Sequence, residues 1–272
     1  MRLGAGGRAA MWVFAALVLV FVYVPLAVVT INSFNSDRTF GWPPPSLTLQ
    51  WWEIAWHAQG PRDAALTSVK AGLGATAIAL VLGALLGLAL TRFDFFGKRV
   101  INLLVILPIA LPGIVTGVAL QSTIQNVLQP VFGINAGLFT IIVGHATFCI
   151  VVVFNNVAAR LRRMGASLEA ASADLGARPM QTMRLVTFPL LRSSLVAGAL
   201  LAFGLSFDEI VVTTFTAGPG TPTLPIWIFD NLFRPNQAPV VNVVAVVLVL
   251  ISILPVWAAM KLSGDGAVES RL

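Results

Sequence analysis

Charge is scarce in this sequence. Asp, Glu, Lys and Arg together make up 10% of its 272 residues, whereas 57% of the residues are hydrophobic and the mean hydropathy is +0.89. A soluble domain carries about 25% charged residues, since its surface must face water. This chain has too few polar groups for such a surface. The composition therefore excludes a soluble globular domain and predicts an all-α membrane protein that faces lipid.

Cysteine and histidine are nearly absent as well. The only cysteine, Cys149, lies inside an apolar run, and His57 and His145 are far apart in the sequence. A single cysteine excludes a disulfide framework, and these isolated residues do not form the ligand set of a metal site. We expect no catalytic residue, no metal and no redox chemistry. A membrane-embedded enzyme would need convergent His, carboxylate or Cys residues. Apart from Cys149, the residues of that kind within the apolar runs are His145 and the adjacent Asp208 and Glu209, which argues against such an enzyme.

Long apolar runs are what the chain has in abundance. We predict one transmembrane domain over residues 1–272, with six spans. The first run follows Arg2 and Arg8, but it is too long for the core of a signal peptide and no A-x-A-like cleavage site follows it, so it is predicted to be retained. Pro108 and Pro112 predict a kink or break in the third run. The six runs are 11–31, 64–91, 100–122, 137–158, 190–214 and 240–260.

The basic residues predict the orientation of these spans. With an even number of spans both termini lie on one side, and thirteen of the 17 basic residues then share that side. Basic residues concentrate on the cytoplasmic side of membrane proteins, so both termini are predicted to be cytoplasmic. This segregation also accounts for the net charge of +6 without a nucleic-acid partner. The thirteen are Arg2, Arg8, Arg92, Lys98, Arg99, Arg160, Arg162, Arg163, Arg178, Arg184, Arg192, Lys261 and Arg271; the other four are Arg38, Arg62, Lys70 and Arg234.

The fourth connection, residues 159–189, has a helical pattern that most loops lack. Leu161, Met164 and Leu168 recur at helical spacing, which predicts an amphipathic helix. Gly176 predicts a sharp turn, and Pro179 suits the first turn of a second helix. A cytoplasmic helix–turn–helix of this kind could transmit force from a soluble partner to the spans. The alternative is an interfacial segment that only stabilises the fold.

The same connection resembles a motif of binding-protein-dependent permeases of ATP-binding-cassette (ABC) importers. That motif reads Glu-Ala-Ala, three residues, Gly, nine residues, Ile, one residue, Leu-Pro. Counted from Gly176, the residues 186–189 fill its apolar end. Glu169 begins a Glu-Ala-Ala string, but four residues rather than three precede the glycine. One residue rotates a side chain by about 100° around a helix, which leaves open whether Glu169 contacts the ATPase. The resemblance implies ATPase-coupling roles for Leu168, Glu169, Ala170, Ala171, Asp174, Leu175, Gly176, Ala177 and Pro189.

Other stretches are similar to the second permease subunit of spermidine/putrescine importers. They are FDFFGK (93–98), LPIALPGIVTGVAL (107–120), GHATFCIVVVFNN (144–156) and SFDEIVVTTFTAGPG (206–220). The similarity covers about residues 14–258. It implies a type I ABC importer permease fold in the bacterial cytoplasmic (inner) membrane.

The resemblance also implies a set of partners. They are two ABC ATPase subunits, a second paralogous permease that forms a heterodimer, an extracytoplasmic solute-binding protein and membrane lipid. The chain has no Gly-x-x-x-x-Gly-Lys-Ser/Thr phosphate loop. We therefore expect a non-catalytic subunit that binds no cofactor, with ATP and Mg²⁺ held by the ATPase subunits.

Acidic residues near the apolar runs suggest where a cargo could be sensed. On insertion scales, the free energy of placing a carboxylate at the centre of a span is unfavourable by about 2.5–3.5 kcal/mol. A carboxylate in a span is therefore expected to have a function or a partner. Asp208 and Glu209 interrupt the fifth run, and Trp227 and Asp230 lie in the segment Gly218–Pro239 that follows it. All four are candidate pathway residues for a cation, with pairing inside the fold or anchoring at the interface as alternatives.

Alternative functions for the whole chain are an importer for thiamine, iron or an organophosphonate, a channel, a secondary transporter or a membrane enzyme.

Overall fold

The computed structural model describes residues 4–38, 41–234 and 237–268, and these are built almost wholly from helices. The predicted all-α class is confirmed: outside the helices, the pairing between strands in the described residues is one isolated bridge between Asn35 and Leu47. Arg2 and Arg271, both used in the orientation argument, lie outside the described residues. In chain order the helices are α1 (Ala5–Asn32), α2 (Gln50–His57), α3 (Gln59–Arg92), α4 (Lys98–Ala110), α5 (Gly113–Thr123), α6 (Gln129–Phe132), α7 (Leu138–Met164), α8 (Ser167–Asp174), α9 (Pro179–Thr182), α10 (Phe188–Phe207), α11 (Val211–Thr216), α12 (Leu224–Leu232) and α13 (Ala238–Val268).

Five helical segments in the described part of the chain are long and apolar enough to cross a membrane. A sixth crossing results if the bent pair of Lys98–Ala110 and Gly113–Phe132 counts as one span. This agrees with the predicted six-span fold. The five are Gly6–Asn32, Gln59–Arg92, Leu138–Met164, Pro179–Phe207 and Ala238–Lys261.

The third predicted span, 100–122, is broken rather than straight. α4 ends at Ala110, Leu111 is extended (φ −78°, ψ 143°), and α5 starts at Gly113 after a bend of 104°. The cause is Pro112, whose ring disfavours helical geometry at the residue before it. Pro108, by contrast, lies inside α4 without ending the helix. The break that the two prolines predict therefore comes from Pro112.

Two π-helical segments, Ile124–Leu128 and Met183–Thr187, are each followed two residues later by a proline. Pro130 and Pro189 lack the N–H that an α-helix would bond to the carbonyl four residues back, and their rings clash with that carbonyl. A wider turn relieves the clash. The helix accordingly continues from Pro179 to Phe207 through Pro189. Pro189 thus lies within a helix that begins before the predicted fifth span, 190–214.

The predicted fifth span, 190–214, is two helices. α10 ends at Phe207, Asp208 is its C-cap residue, and the short α11 begins at Val211. Hydropathy alone does not mark this end, because apolar residues resume directly after the acidic pair. The three residues 208–210 form a second break, which we call the acidic break.

Close packing around α7 forms the larger of two compact units, which comprises Asp63–Trp227 and Ile251–Leu272. Buried residues of α3, α7 and α10 form its core, including Ala75, Ala79, Val153 and Ala202. Gly83 lets α3 approach α7, because a Cβ there would lie 2.8 Å from the carbonyl oxygen of Ile150. The absence of a side chain at Gly83 thus permits close contact between α3 and α7.

The smaller unit comprises Met1–Arg62 and Ile228–Leu250. In this unit, α2 packs on the segment that follows α1. Nε1 of Trp51 donates to the carbonyl of Asn35 at 2.8 Å, and the ring of Trp52 stacks on that of Phe34 with ring centroids 5.2 Å apart. α1 exposes large apolar side chains along its length, Trp12 and Phe21 among them. Exposed apolar side chains along a whole helix are typical of a surface that faces lipid.

Candidate functional site

The predicted amphipathic helix of the fourth connection is two helices. Leu161 and Met164 belong to the last turns of α7, whereas Leu168 lies in α8. Gly165 separates them with a φ of 66°, in the left-handed region that favours glycine. Helical spacing continued across this glycine, so the periodicity did not reveal the break.

The turn predicted at Gly176 lies directly after α8. Gly176 has a φ of 84°, its N–H donates to Ala173, and the N–H of Ala177 donates to Ser172. These two bonds form a Schellman motif, which satisfies the last carbonyls of a helix and requires a left-handed residue. α9 then begins at Pro179, as predicted. Four residues, 175–178, therefore separate α8 from α9.

Both arms of this turn are fastened to each other and to the spans. The hydroxyls of Ser172 and Thr182 lie 3.0 Å apart, which links α8 to α9. Arg160 in α7 donates from Nε to the carbonyl of Leu190 in α10 at 2.9 Å. The bond between α8 and α9 and the bond between α7 and α10 thus hold the connection at two points.

Glu169 makes two of the contacts that hold the connection in place. Its Oε2 lies 2.7 Å from Nε of Arg92, the last residue of α3, and its Oε1 accepts a hydrogen bond from Thr187 at 2.9 Å. Arg92 also donates from Nη2 to the carbonyl of Gly165 at 2.6 Å. The side chain of Glu169 is 19% exposed. Its carboxylate therefore bonds within the chain, and it joins α3, α8 and the π turn before α10.

Four apolar side chains point away from these contacts. Leu175, at the turn, is 90% exposed, and its neighbours on the same connection are also exposed. We define the coupling surface as Leu168, Leu175, Met180 and Leu185. Of the other predicted coupling residues, Ala170, Ala171, Asp174 and Gly176 are exposed, and Ala177 and Pro189 are half-buried. Exposed apolar side chains gathered on one connection are typical of a protein–protein contact.

The acidic break holds its two carboxylates in different surroundings. Asp208 is exposed, whereas Glu209 is half-buried and both its oxygens accept from the N–H of Val212, at 3.0 and 3.1 Å. The Oγ1 of Thr213 also donates to the carbonyl of Glu209, at 2.9 Å. The two acidic residues thus differ in exposure and contacts although they are adjacent, and both lie outside regular helix.

His145 is a residue of this region that sequence reasoning set aside as isolated. It is fully buried in α7, with Nδ1 2.7 Å from the hydroxyl of Ser206 and Nε2 2.7 Å from that of Thr213. Ser206 lies in the last turn of α10 and Thr213 lies in α11, so the imidazole bridges the two sides of the acidic break. Its partners lie 61 and 68 residues away in the sequence. No group of three or more possible metal ligands occurs among the described residues.

An open pocket of about 250 Å³ lies where the two breaks meet. α5 packs tightly on α11 here, because a Cβ at Gly117 would overlap the ring of Phe215. We call this the break pocket. Its lining has one charged residue, Glu209, and otherwise consists of Pro108, Ile109, Gly113, Thr116, Phe148, Leu205 and Val212.

Of the four predicted pathway residues, Glu209 is the one that lines the break pocket in the described chain. Trp227 and Asp230 lie on α12, the first half-buried and the second exposed. The start of α12 is tied to α3, because the N–H of Leu224 donates to the hydroxyl of Ser68 at 2.8 Å.

Comparison with known proteins gives matches along most of the chain. Residues 79–261 match the model of the family described as binding-protein-dependent transport system inner membrane component. The chain is 32% identical over 235 residues to the putrescine transport system permease protein PotI of Escherichia coli K12, covering 83% of this chain and 80% of that protein. It is 29% identical over 252 residues to the spermidine/putrescine transport system permease protein PotC of the same strain, covering 93% of each.

A third relative is named for a different solute. It is a Salmonella typhi protein provisionally named as the 2-aminoethylphosphonate transport system permease protein PhnV, 34% identical over 234 residues, covering 85% of this chain and 87% of that protein. Among solved structures, a chain of a bacterial ABC transporter that imports the polysaccharide alginate has the same fold. Its TM-score is 0.70 at 16% identity, and the match covers 96% of this chain and 99% of that one.

Proposed function

Since the chain belongs to the family of binding-protein-dependent transport system inner membrane components, we propose that it carries a small organic cation, a polyamine such as putrescine or spermidine, through an ATP-driven importer. Family membership makes the chain an ABC importer permease, a non-catalytic multi-pass subunit of the bacterial inner membrane. The coupling to ATP, the partners and the cargo are the parts that we propose.

The proposed coupling of ATP hydrolysis to transport rests on the contacts that hold the connection between α7 and α10. It presents the exposed coupling surface, and Glu169 ties it to Arg92 at the end of α3 and to Thr187 before α10. A soluble subunit that pushes on Leu175 would therefore displace α3 and α10 together. We assign ATP, Mg²⁺ and hydrolysis to two ATPase subunits docked there, and to this chain the mechanical response.

The remaining partners follow from the same family. We propose a second, paralogous permease that completes a heterodimer in the lipid bilayer, and an extracytoplasmic binding protein that delivers the solute. The distribution of basic residues supports cytoplasmic termini and a cytoplasmic coupling surface, since thirteen of 17 such residues share one side. The cargo would then enter from the side of α12 and leave on the side of Leu175.

The proposed cargo rests on two observations. Two relatives matched over at least four fifths of their length are named as putrescine or spermidine/putrescine permeases. The break pocket has a carboxylate as its one charged group, which suits a cation. A second candidate is 2-aminoethylphosphonate, favoured by the likeness to PhnV. Both candidates carry a primary amine, and the phosphonate also carries negative charge.

The test begins with the chain in its own membrane. We would purify it gently through an affinity tag, identify its companions by mass spectrometry, and reconstitute the recovered complex in proteoliposomes. We expect an ABC ATPase, a second permease and ATP-dependent uptake of radiolabelled putrescine in the presence of the binding protein. Recovery of the chain alone after crosslinking would contradict the importer, and uptake of 2-aminoethylphosphonate in place of putrescine would favour the second candidate.

A further inference from the structure

The break pocket contains a polar atom that the fold leaves unused. The Oγ1 of Thr116 is buried and has no hydrogen-bond partner among the described residues. A buried hydroxyl without a partner costs about 1–3 kcal/mol, so such groups are uncommon in native structures. Thr116 lies on α5, one turn after the break at Pro112, and it lines the pocket. The pocket thus offers a free hydroxyl.

The carboxylate of Glu209 in the same lining also has capacity left. Its two oxygens accept from the N–H of Val212, at 3.0 and 3.1 Å, and the backbone N–H groups of Thr213 and Val211 are also hydrogen-bond partners. An ionised carboxylate can accept about four hydrogen bonds, so a further donor can be added without displacing these. The pocket lining supplies no cation to pair with it. A ligand with several donors and a positive charge meets this need.

The remaining walls are apolar. Pro108 and Ile109 come from α4, Leu205 from α10 and Val212 from α11, and the ring of Phe148 from α7 completes the lining. Such walls suit methylene groups, and an aromatic face also attracts a nearby ammonium. One carboxylate is too few for a divalent metal, which takes six or more oxygen ligands. An anion would be repelled by Glu209.

We propose that the break pocket is a binding subsite for a primary alkylammonium group. The ammonium donates to the carboxylate of Glu209 and to the hydroxyl of Thr116, and the attached methylene chain packs against Pro108, Ile109 and Leu205. The inference rests on the proposed function in that the ammonium belongs to the transported cargo. The subsite is nevertheless a property of this chain alone and can be examined separately from transport.

The experiment uses the purified complex in lipid nanodiscs and reports on the pocket by thiol chemistry. Thr116→Cys is made in a Cys149→Ser background, which retains a donor for the carbonyl of Ala202 that Cys149 contacts. The cysteine is reacted with the cationic reagent 2-aminoethyl methanethiosulfonate and with the anionic 2-sulfonatoethyl reagent. We expect the cationic reagent to react faster. We also expect protection by putrescine and none by 1,4-butanediol, which has the same length and no charge.

Two carboxylate variants test the partner of the ammonium. Glu209→Gln keeps an oxygen for the N–H of Val212 and removes the charge, so we expect the ratio of cationic to anionic reactivity to fall roughly tenfold, as expected for loss of a charge-assisted contact. Asp208→Asn removes the same charge one residue away, outside the pocket lining. It is expected to change the ratio less than twofold.

The outcomes separate the subsite from the proposed function. Equal effects of the two carboxylate variants, or protection by 1,4-butanediol as strong as by putrescine, would overturn the subsite even if the wild-type complex imports polyamines. Protection by putrescine with a selective effect of Glu209→Gln would support the subsite. If that complex then imported no amine in proteoliposomes, the proposed function would fail and the subsite would stand.

Discussion

At the scale of the residue, Gly176 is a position where the backbone dictates the side chain. Its φ of 84° lies in the left-handed region, and a Cβ built there would meet no atom within 4 Å. A substitution is therefore strained by backbone conformation and not by a clash, at a cost of about 1–2 kcal/mol for most residues. Asn tolerates this conformation better than a β-branched residue does.

We predict that Gly176→Val separates ATP hydrolysis from uptake while the protein still inserts. Straining the turn would displace Leu175, the most exposed part of the coupling surface, from its position relative to α8. The measurement is the number of solute molecules imported per ATP hydrolysed in proteoliposomes, with membrane content checked by immunoblot. Gly176→Asn is the matched control and should couple nearly normally. Wild-type coupling in Gly176→Val would show that the turn is not needed.

The acidic break supports a second prediction at this scale. Glu209→Gln should raise the KM for putrescine uptake about tenfold, the loss expected when a charge-assisted contact is removed. Asp208→Asn should change KM less than twofold, because Asp208 is exposed and outside the lining of the break pocket. Initial rates over a range of putrescine concentrations give both values. If neither variant alters KM, the acidic pair serves only the fold.

Single residues were predictable where chemistry is local. Gly176 and Pro179 indicate a turn and a helix start by their backbone preferences, and the structure places them so. The partners of Glu169 and His145 were not predictable, because Arg92 and Thr213 lie 77 and 68 residues away in the sequence. Hydropathy treats His145 as one polar residue in an apolar run, and the hydroxyls that satisfy it come from other helices.

At the scale of the element, the ion pair between Arg92 and Glu169 decides how firmly α8 is held. Both side chains are largely buried, at 16% and 19% exposure. The carboxylate of Glu169 also accepts a hydrogen bond from Thr187, and a hydrogen bond to a charged group contributes about 1.5–3 kcal/mol, more than an exposed ion pair. We predict that Glu169→Ala raises the rate of amide hydrogen exchange across residues 167–178 at least tenfold, read by mass spectrometry of the complex.

Two comparisons make that result specific. Asp174→Ala removes another carboxylate of α8, an exposed one, and should leave the exchange rates close to wild type. Peptides from the centre of α7 should exchange slowly in both variants, because that helix is buried in the core. An unchanged rate in Glu169→Ala would mean that the coupling surface is held by its other contacts, such as that between Ser172 and Thr182.

Elements were predictable as far as hydropathy reflects them. The apolar runs lie on helices, and Pro112 indicated the break between α4 and α5. Gly165 was missed since helical spacing continued across it, and the acidic break was missed because apolar residues follow Glu209 at once. The π turns before Pro130 and Pro189 depend on hydrogen bonding within the helix, which hydropathy does not report.

At the scale of the whole molecule, the direction of transport depends on which side each end of α3 faces. This helix has 34 residues and spans about 50 Å, more than the hydrocarbon core of a bilayer. Asp63 lies near its start, and Arg92 at its end is paired with Glu169 next to the coupling surface. A helix that crosses the bilayer has its two ends on opposite sides, so the side on which one end of α3 lies determines the side of the other end.

We predict that the coupling surface is cytoplasmic, and single cysteines can establish it. In a Cys149→Ser background, Asp63→Cys should react with a membrane-impermeant maleimide in intact spheroplasts, and Leu175→Cys should react only after permeabilisation. Both positions are exposed, so a difference in labelling reports sidedness and not burial. The opposite pattern would place the coupling surface outside the cell, where no ATPase could reach it, and would contradict the importer as proposed. Labelling of both cysteines in intact spheroplasts would mean that α3 does not cross the bilayer, which its length and apolar composition argue against.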